Sequence, residues 1–85
     1  MTLHIKILGG GCANCERLEK HAKQATAQLG VEAVFEKSGD YAEYERYGLL
    51  ATPGLVVNDK LVSGGRVPSP SQIATLLTDA LAAEG

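Results

Sequence analysis

Two segments of the chain alternate hydrophobic and polar residues with a period of two, the pattern of a strand that buries one face, and a third segment is rich in β-branched residues. The first covers residues 2–7 (TLHIKI) and the second residues 31–35 (VEAVF). The third, residues 55–65 (LVVNDKLVSGG), consists of two short β-branched runs on either side of Asn58 and Asp59. Both of these residues tolerate the positive φ of a tight turn, so the third segment predicts an antiparallel hairpin.

Between the first two strands the hydrophobic spacing changes to three and four residues, which predicts a helix from Ala13 that ends at Gly30. On the other side of this helix, Glu16 precedes Lys20 and Glu19 precedes Lys23 by four residues, as in solvated ion pairs. A strand, a helix and a second strand in this order indicate a parallel βαβ unit. The predicted buried stripe of the helix consists of Cys15, Leu18, Ala22, Ala25 and Leu29.

Two further helices are indicated by capping residues. Asp40 with Glu43 predicts a capping box for a short helix that carries three tyrosines and ends at Gly48. Ser69 with Gln72, around a proline at the first helical position, predicts a helix at the end of the chain. The predicted order is therefore βαβαββα. The apolar stripe of the last helix is Ile73, Leu76, Leu77, Ala80 and Leu81.

The composition is that of a small globular protein. The chain has 85 residues, of which 45% are hydrophobic and 21% charged, and its formal net charge is −2. We expect one domain over residues 1–85, and no segment reaches the roughly 18 apolar residues of a membrane span. The eight basic residues form no cluster, which argues against a nucleic-acid partner. The first residues lack the pattern of a secretory signal, so we expect a cytoplasmic protein.

The only two cysteines, Cys12 and Cys15, form a C-x-x-C pair after three glycines, at the start of the first helix. This spacing suits a redox disulfide, a metal pair or a structural bridge. Cys12 precedes the first turn, where unpaired backbone N–H groups and the helix dipole favour a thiolate, and is the candidate nucleophile. Cys15 lies on the buried stripe, from which it can resolve a mixed disulfide. The glycines, Gly11 among them, leave the first sulfur accessible to a partner.

A second local feature is Thr52-Pro53-Gly54, directly before the predicted hairpin. A peptide bond that precedes proline can be cis at modest cost, and a proline at the start of a strand loses no hydrogen bond of the sheet. Residue spacing alone does not tell whether Pro53 lies near the cysteines.

The combination of GCANC with TPGLVVNDKLVSGGRVPS in the order βαβαββα resembles a minimal thioredoxin-like fold. It is most similar to the short thioredoxin/glutaredoxin-like family often labelled redox-active disulfide protein 2. The resemblance covers nearly the whole chain and implies an α/β fold with a mixed four-stranded sheet flanked by helices. It also implies that Pro53 is cis and packs beside Cys12 and Cys15.

The resemblance further implies a thiol–disulfide oxidoreductase that reduces protein disulfides and needs no cofactor. In the family pattern Cys12 attacks and Cys15 resolves, while the backbone around Thr52 and Pro53 holds an extended stretch of the partner. Gly11 belongs to the same binding surface. The supporting positions are Ala13, Asn14 and Gly54. We expect a monomer whose partners are protein disulfide substrates and a reductase.

Metal binding is the alternative function. GCANC also resembles the loop of heavy-metal-associated domains, which carry copper or zinc on a C-x-x-C pair between a strand and a helix. In that case Cys12 and Cys15 are the ligands. Those domains end in a strand, whereas this chain ends in a capped helix and has the Thr-Pro step, so we favour redox chemistry and expect no metal.

Overall fold

A computed structural model of the protein describes residues 2–10 and 13–84. The order of its elements is βαβαββα, as the hydrophobic pattern predicts. The strands are β1 (Thr2–Leu8), β2 (Glu32–Ser38), β3 (Gly54–Val57) and β4 (Lys60–Gly64). The helices are α1 (Ala13–Leu29), α2 (Tyr41–Tyr47) and α3 (Pro70–Glu84). None of these helices, in the part of the chain that the structure describes, is long and apolar enough to cross a bilayer.

The four strands form one mixed sheet in the order β2-β1-β3-β4. β1 pairs in parallel with β2, because α1 carries the chain back to the same end of the sheet. β3 pairs antiparallel with β1 and with β4, and its four residues are all buried between these neighbours. The predicted α/β class with a mixed four-stranded sheet is confirmed.

The alternation along β1 and β3 sends side chains to both faces of the sheet. One face packs against α1 and α3, and the other packs against α2. The larger buried cluster consists of Leu3, Ile5, Ile7, Leu18, Ala22, Ala25, Leu55, Val57, Ile73 and Leu77. The smaller buried cluster consists of Leu8, Tyr44, Leu49 and Val56.

Several predicted helix ends and turns are confirmed in detail. The Ser69 hydroxyl accepts a hydrogen bond from the Gln72 backbone at 3.1 Å, and the Gln72 side chain accepts one from the Ser69 backbone at 2.9 Å. This is a complete capping box. Gly48 ends α2 in the left-handed region at φ 75°. Asn58 and Asp59 have φ of 50° and 67°, as a tight hairpin turn requires.

Of the capping box predicted for α2, the Asp40 half is confirmed and the Glu43 half is wrong. Asp40 is the N-cap, and its carboxylate accepts a hydrogen bond from the Ala42 backbone at 2.9 Å. The Glu43 carboxylate does not return to the Asp40 backbone. It contacts Lys6 of β1 at 3.0 Å and Arg46 at 3.2 Å, because these cations offer a charged partner to a half-buried acid.

Three other expectations are corrected on or beside α1. Within the described residues Glu19 pairs with Lys23 at 3.5 Å, but the exposed Glu16 and Lys20 form no ion pair. Leu29 ends the helix beyond the core and is 37% exposed. β2 starts one residue later than the pattern indicated and extends to Ser38, since pairing with β1 continues through charged residues that interrupt the alternation.

Candidate active site

Cys15 is the third residue of α1, and its side chain is only 3% exposed. It lies on the buried stripe that the spacing of apolar residues predicts. Cys15 is disulfide-bonded in the structure. Cys12 and Gly11, predicted as nucleophile and binding residue, lie outside the described residues.

The end of β1 lies directly against Cys15. The Gly9 N–H donates to the Ser38 carbonyl at 2.8 Å, which continues the pairing of β1 with β2 by one residue. A Cβ atom placed on Gly9 would overlap the Cys15 Sγ and would lie 3.9 Å from the Pro53 Cα. The Cys15 sulfur and Pro53 are therefore both neighbours of the buried Gly9.

The Thr52–Pro53 peptide bond is cis, and Pro53 is buried while Thr52 is exposed. The Pro53 carbonyl accepts a hydrogen bond from the Gly65 backbone at 2.9 Å. Gly65 has φ 73°, a conformation that favours glycine. The structure thus brings Pro53 beside Cys15, a proximity that residue spacing did not indicate and the resemblance implied.

The loop before Pro53 is held by Leu49. A Cβ atom on Gly54 or on Gly64 would lie 2.8 Å from Leu49 methyl carbons, so these two paired glycines make room for the leucine. Leu49 is buried by this arrangement, although it lies in a loop. Gly54, predicted as a supporting residue, therefore makes room for Leu49 because it has no side chain.

A surface groove leads away from Thr52 along this loop and α2. It exposes two large apolar side chains, since Leu50 is 100% exposed and Tyr41 is 80% exposed. Its lining residues are Tyr41, Tyr44, Glu45, Leu49, Leu50, Ala51 and Thr52. The groove brings apolar surface next to the residue that precedes Pro53.

The other predicted supporting residues, Ala13 and Asn14, are exposed in the first turn of α1. No group of three or more His, Cys, Asp or Glu side chains able to hold a metal occurs within the described ranges.

The sequence pattern assigned no individual role to Gly9 or Leu49. The glycine run marks the neighbourhood of Gly9, but only tertiary contacts distinguish that glycine from the next one.

Comparison with known proteins agrees with this arrangement. Residues 3–78 match the family model described as a thioredoxin domain. A protein named thioredoxin from Methanothermobacter thermautotrophicus is 43% identical over 76 residues, which cover 89% of this chain and 99% of the relative. A thioredoxin from Methanocaldococcus jannaschii is 33% identical over 69 residues, which cover 81% of this chain and 79% of the relative.

Among solved structures, the germline-specific thioredoxin Deadhead from Drosophila melanogaster has a TM-score of 0.63 to this chain. The superposition covers 92% of this chain and 80% of Deadhead at 15% sequence identity, so it bears on the fold alone. The family model and the archaeal relatives cover most of the chain. The chain therefore belongs to the thioredoxin family of thiol–disulfide oxidoreductases.

Proposed function

We propose that Cys12 and Cys15 form a reversible dithiol–disulfide couple that reduces disulfide bonds in protein substrates. The observation that carries this proposal is the buried, disulfide-bonded Cys15 in the first turn of α1, beside Pro53, in a chain of the thioredoxin family. The chain contains only these two cysteines. A reducing compartment such as the cytoplasm suits this use.

The reaction proceeds in two thiol–disulfide exchanges. In the first, the Cys12 thiolate attacks one sulfur of the partner's disulfide, and the other sulfur of the partner leaves as a thiolate. In the second, the Cys15 thiolate attacks the Cys12 sulfur of the mixed disulfide and releases the remaining partner thiolate. The partner gains two electrons and the protein becomes oxidised. An external dithiol or a reductase then restores the reduced protein.

The positions of the two cysteines in the sequence, relative to α1, support these different roles. Cys12 directly precedes Ala13, the first residue of α1, and a position before the first turn of a helix favours a thiolate through unpaired backbone N–H groups and the helix dipole. Cys15 is nearly inaccessible to solvent, so a large substrate does not reach it first. We assign Gly11, Thr52 and Pro53 to the surface that receives the partner, supported by Ala13, Asn14 and Gly54.

The first experiment equilibrates the protein in dithiothreitol redox buffers and counts free thiols, with insulin-disulfide reduction as the activity measurement. We expect two thiols to titrate together, and we expect Cys12→Ser to abolish activity. Cys15→Ser is the matched variant, and it should accumulate a mixed disulfide with a disulfide reagent. The proposal fails if no two-thiol couple exists. Purified protein that retains stoichiometric copper or zinc and resists oxidation would favour the metal alternative.

The exposed apolar groove supports a protein rather than a small molecule as the substrate. We expect Leu50→Ser to lower kcat/KM for insulin several-fold without changing the rate with a small aromatic disulfide. Leu29→Ser is the matched control, because Leu29 is also exposed but lies at the far end of α1 from Cys15. Equal effects of the two substitutions, or equal effects on both substrates, would contradict a contact between substrate and groove.

A further inference from the structure

Gly9 and Gly10 are consecutive in sequence but have opposite surroundings. Gly9 is buried, and a Cβ atom on it would overlap the Cys15 Sγ and lie 3.2 Å from the Cys15 Cβ. Gly10 is exposed, and a Cβ atom on it would meet no atom of the other described residues within 4 Å. Neither glycine is among the described residues with positive φ. The requirement at Gly9 is therefore for space and not for backbone conformation.

The atoms around Gly9 leave little room for adjustment. Its N–H donates to the Ser38 carbonyl at 2.8 Å, which ties this backbone to the end of β2. The Pro53 Cα lies on another side, 3.9 Å from the position of the added Cβ. Cys15 is buried on a helix that packs into the larger cluster. A methyl group at Gly9 must therefore displace either the sulfur or the end of β1.

We propose that Gly9 is a positioning residue, whose lack of a side chain allows the Cys15 sulfur to adopt the position that it has in the disulfide. This inference rests on the proposed function. A reduced thiol can avoid a methyl group at residue 9 by rotation about its Cα–Cβ bond, whereas a sulfur bonded to a second cysteine cannot rotate freely. The absence of a side chain at Gly9 leaves room for the sulfur in the disulfide, and it therefore favours the oxidised form over the reduced form.

The same argument applies to the second exchange of the reaction. There the Cys15 thiolate forms a bond to the Cys12 sulfur, and the bond between Cys12 and the partner breaks with release of the partner thiolate. A methyl group at residue 9 displaces the attacking sulfur from its position in the product disulfide. This displacement slows the release of the partner without affecting the first attack by Cys12.

The test compares Gly9→Ala with Gly10→Ala, two identical changes at adjacent positions. We expect Gly10→Ala to keep the wild-type reduction potential. Gly9→Ala should disfavour the disulfide at least about tenfold, which corresponds to a potential about 30 mV more positive for a two-electron couple. In rapid-mixing experiments Gly9→Ala should accumulate the mixed disulfide while its formation rate stays unchanged. Equal potentials for the two variants, or equal shifts, would overturn the inference.

A stability cycle identifies the contact partner independently of activity. The change in Tm caused by Gly9→Ala is measured in the oxidised protein and again in a Cys15→Ala background with the remaining thiol alkylated. If the overlap is with the sulfur, the loss of Tm in the first case should largely disappear in the second. The same loss of Tm in both backgrounds would disprove an overlap between residue 9 and the Cys15 sulfur. A wild-type protein without a two-thiol couple would refute the proposed function instead, and this cycle would still test the contact.

Discussion

The two faces of the sheet are packed by different means. Among the described residues, ten buried apolar side chains from both helices and from β1 and β3 fill the face under α1 and α3, here the two-helix face. The face under α2, here the one-helix face, has four buried apolar residues within the same described ranges and a helix of seven residues. Burial of apolar area contributes roughly 25 cal/mol per Å², so the two-helix face supplies most of the hydrophobic stabilisation.

A charged residue contributes to the packing of the one-helix face. The Lys6 ammonium donates to the Glu43 carboxylate at 3.0 Å and to the Tyr47 hydroxyl at 3.3 Å. The Tyr47 hydroxyl in turn donates to the Asp59 carboxylate at 3.3 Å. These contacts join β1, α2 and the β3–β4 turn. The stability of this face should therefore depend on salt and pH, whereas the buried apolar cluster of the two-helix face should be insensitive to both.

The candidate active site draws on both faces. Cys15 comes from α1 on the two-helix face, whereas the loop that ends at Pro53 is held by Leu49 on the one-helix face. Gly9, at the end of β1, lies between the two contributions. The site thus joins a strongly packed half that holds the Cys15 sulfur and a lightly packed half that carries the exposed apolar groove.

The largest effect is expected on the two-helix face. Leu18 is fully buried in the larger cluster, so Leu18→Ala removes apolar contacts and leaves a cavity that costs about 3 kcal/mol of unfolding free energy. Urea denaturation followed by circular dichroism measures this loss. Leu50→Ala is the matched control, because Leu50 is 100% exposed and its truncation should be nearly neutral. Similar losses for the two variants would contradict the assignment of the core.

The elements could be predicted from sequence where local chemistry determines them. The capping box of Ser69 and Gln72 and the turn at Asn58 and Asp59 involve residues at most three positions apart, so the pattern contains the whole interaction. The buried position of Cys15 also follows from helical spacing alone.

Interactions between distant residues could not be predicted in the same way. Glu43 fits a local capping box, but a lysine 37 positions away is its stronger partner. The proximity of Pro53 to Cys15 followed only from the family resemblance. The space that Gly9 leaves for a sulfur depends on how β1 meets α1, and nothing in a run of three glycines distinguishes the buried glycine from the exposed one.

A smaller effect is expected on the one-helix face. Lys6→Met retains most of the apolar stem but removes the charge, and it should cost about 1 kcal/mol at low salt and less at high salt. Hydrogen bonding to Glu43 and then to Tyr47 raises the pKa of Lys6 above 10.5. The contribution of the Lys6 charge to the unfolding free energy should therefore be complete below pH 10.5 and disappear as the pH rises through the folded-state pKa of Lys6.

Denaturation of wild type and Lys6→Met at two salt concentrations, and at pH values on either side of that pKa, measures this contribution. Lys60→Met is the matched control, since Lys60 is exposed in β4 and forms no ion pair with any other described residue. A difference between wild type and Lys6→Met that is independent of both salt and pH would mean that the lysine contributes by packing alone.

The smallest effect is expected at the rim of the two-helix face, where Glu19 of α1 contacts Lys37 of β2 at 3.2 Å and Lys23 at 3.5 Å. Partial burial acts to raise the pKa of Glu19, but the hydrogen bond from Lys37 and the charges of both lysines outweigh it and lower the pKa below 4.5. Glu19→Gln should cost about 0.5 kcal/mol at neutral pH, as for other ion pairs near a surface. Because the pKa is lowered in the folded protein, this contribution is present above pH 4.5 and is lost as the pH falls through the folded-state value. Urea denaturation of wild type and Glu19→Gln at pH 7 and at progressively lower pH should show the difference in unfolding free energy between them vanish. The matched control is Glu16→Gln, one turn earlier and without an ion pair to another described residue, and at pH 7 it should change the unfolding free energy less than Glu19→Gln does.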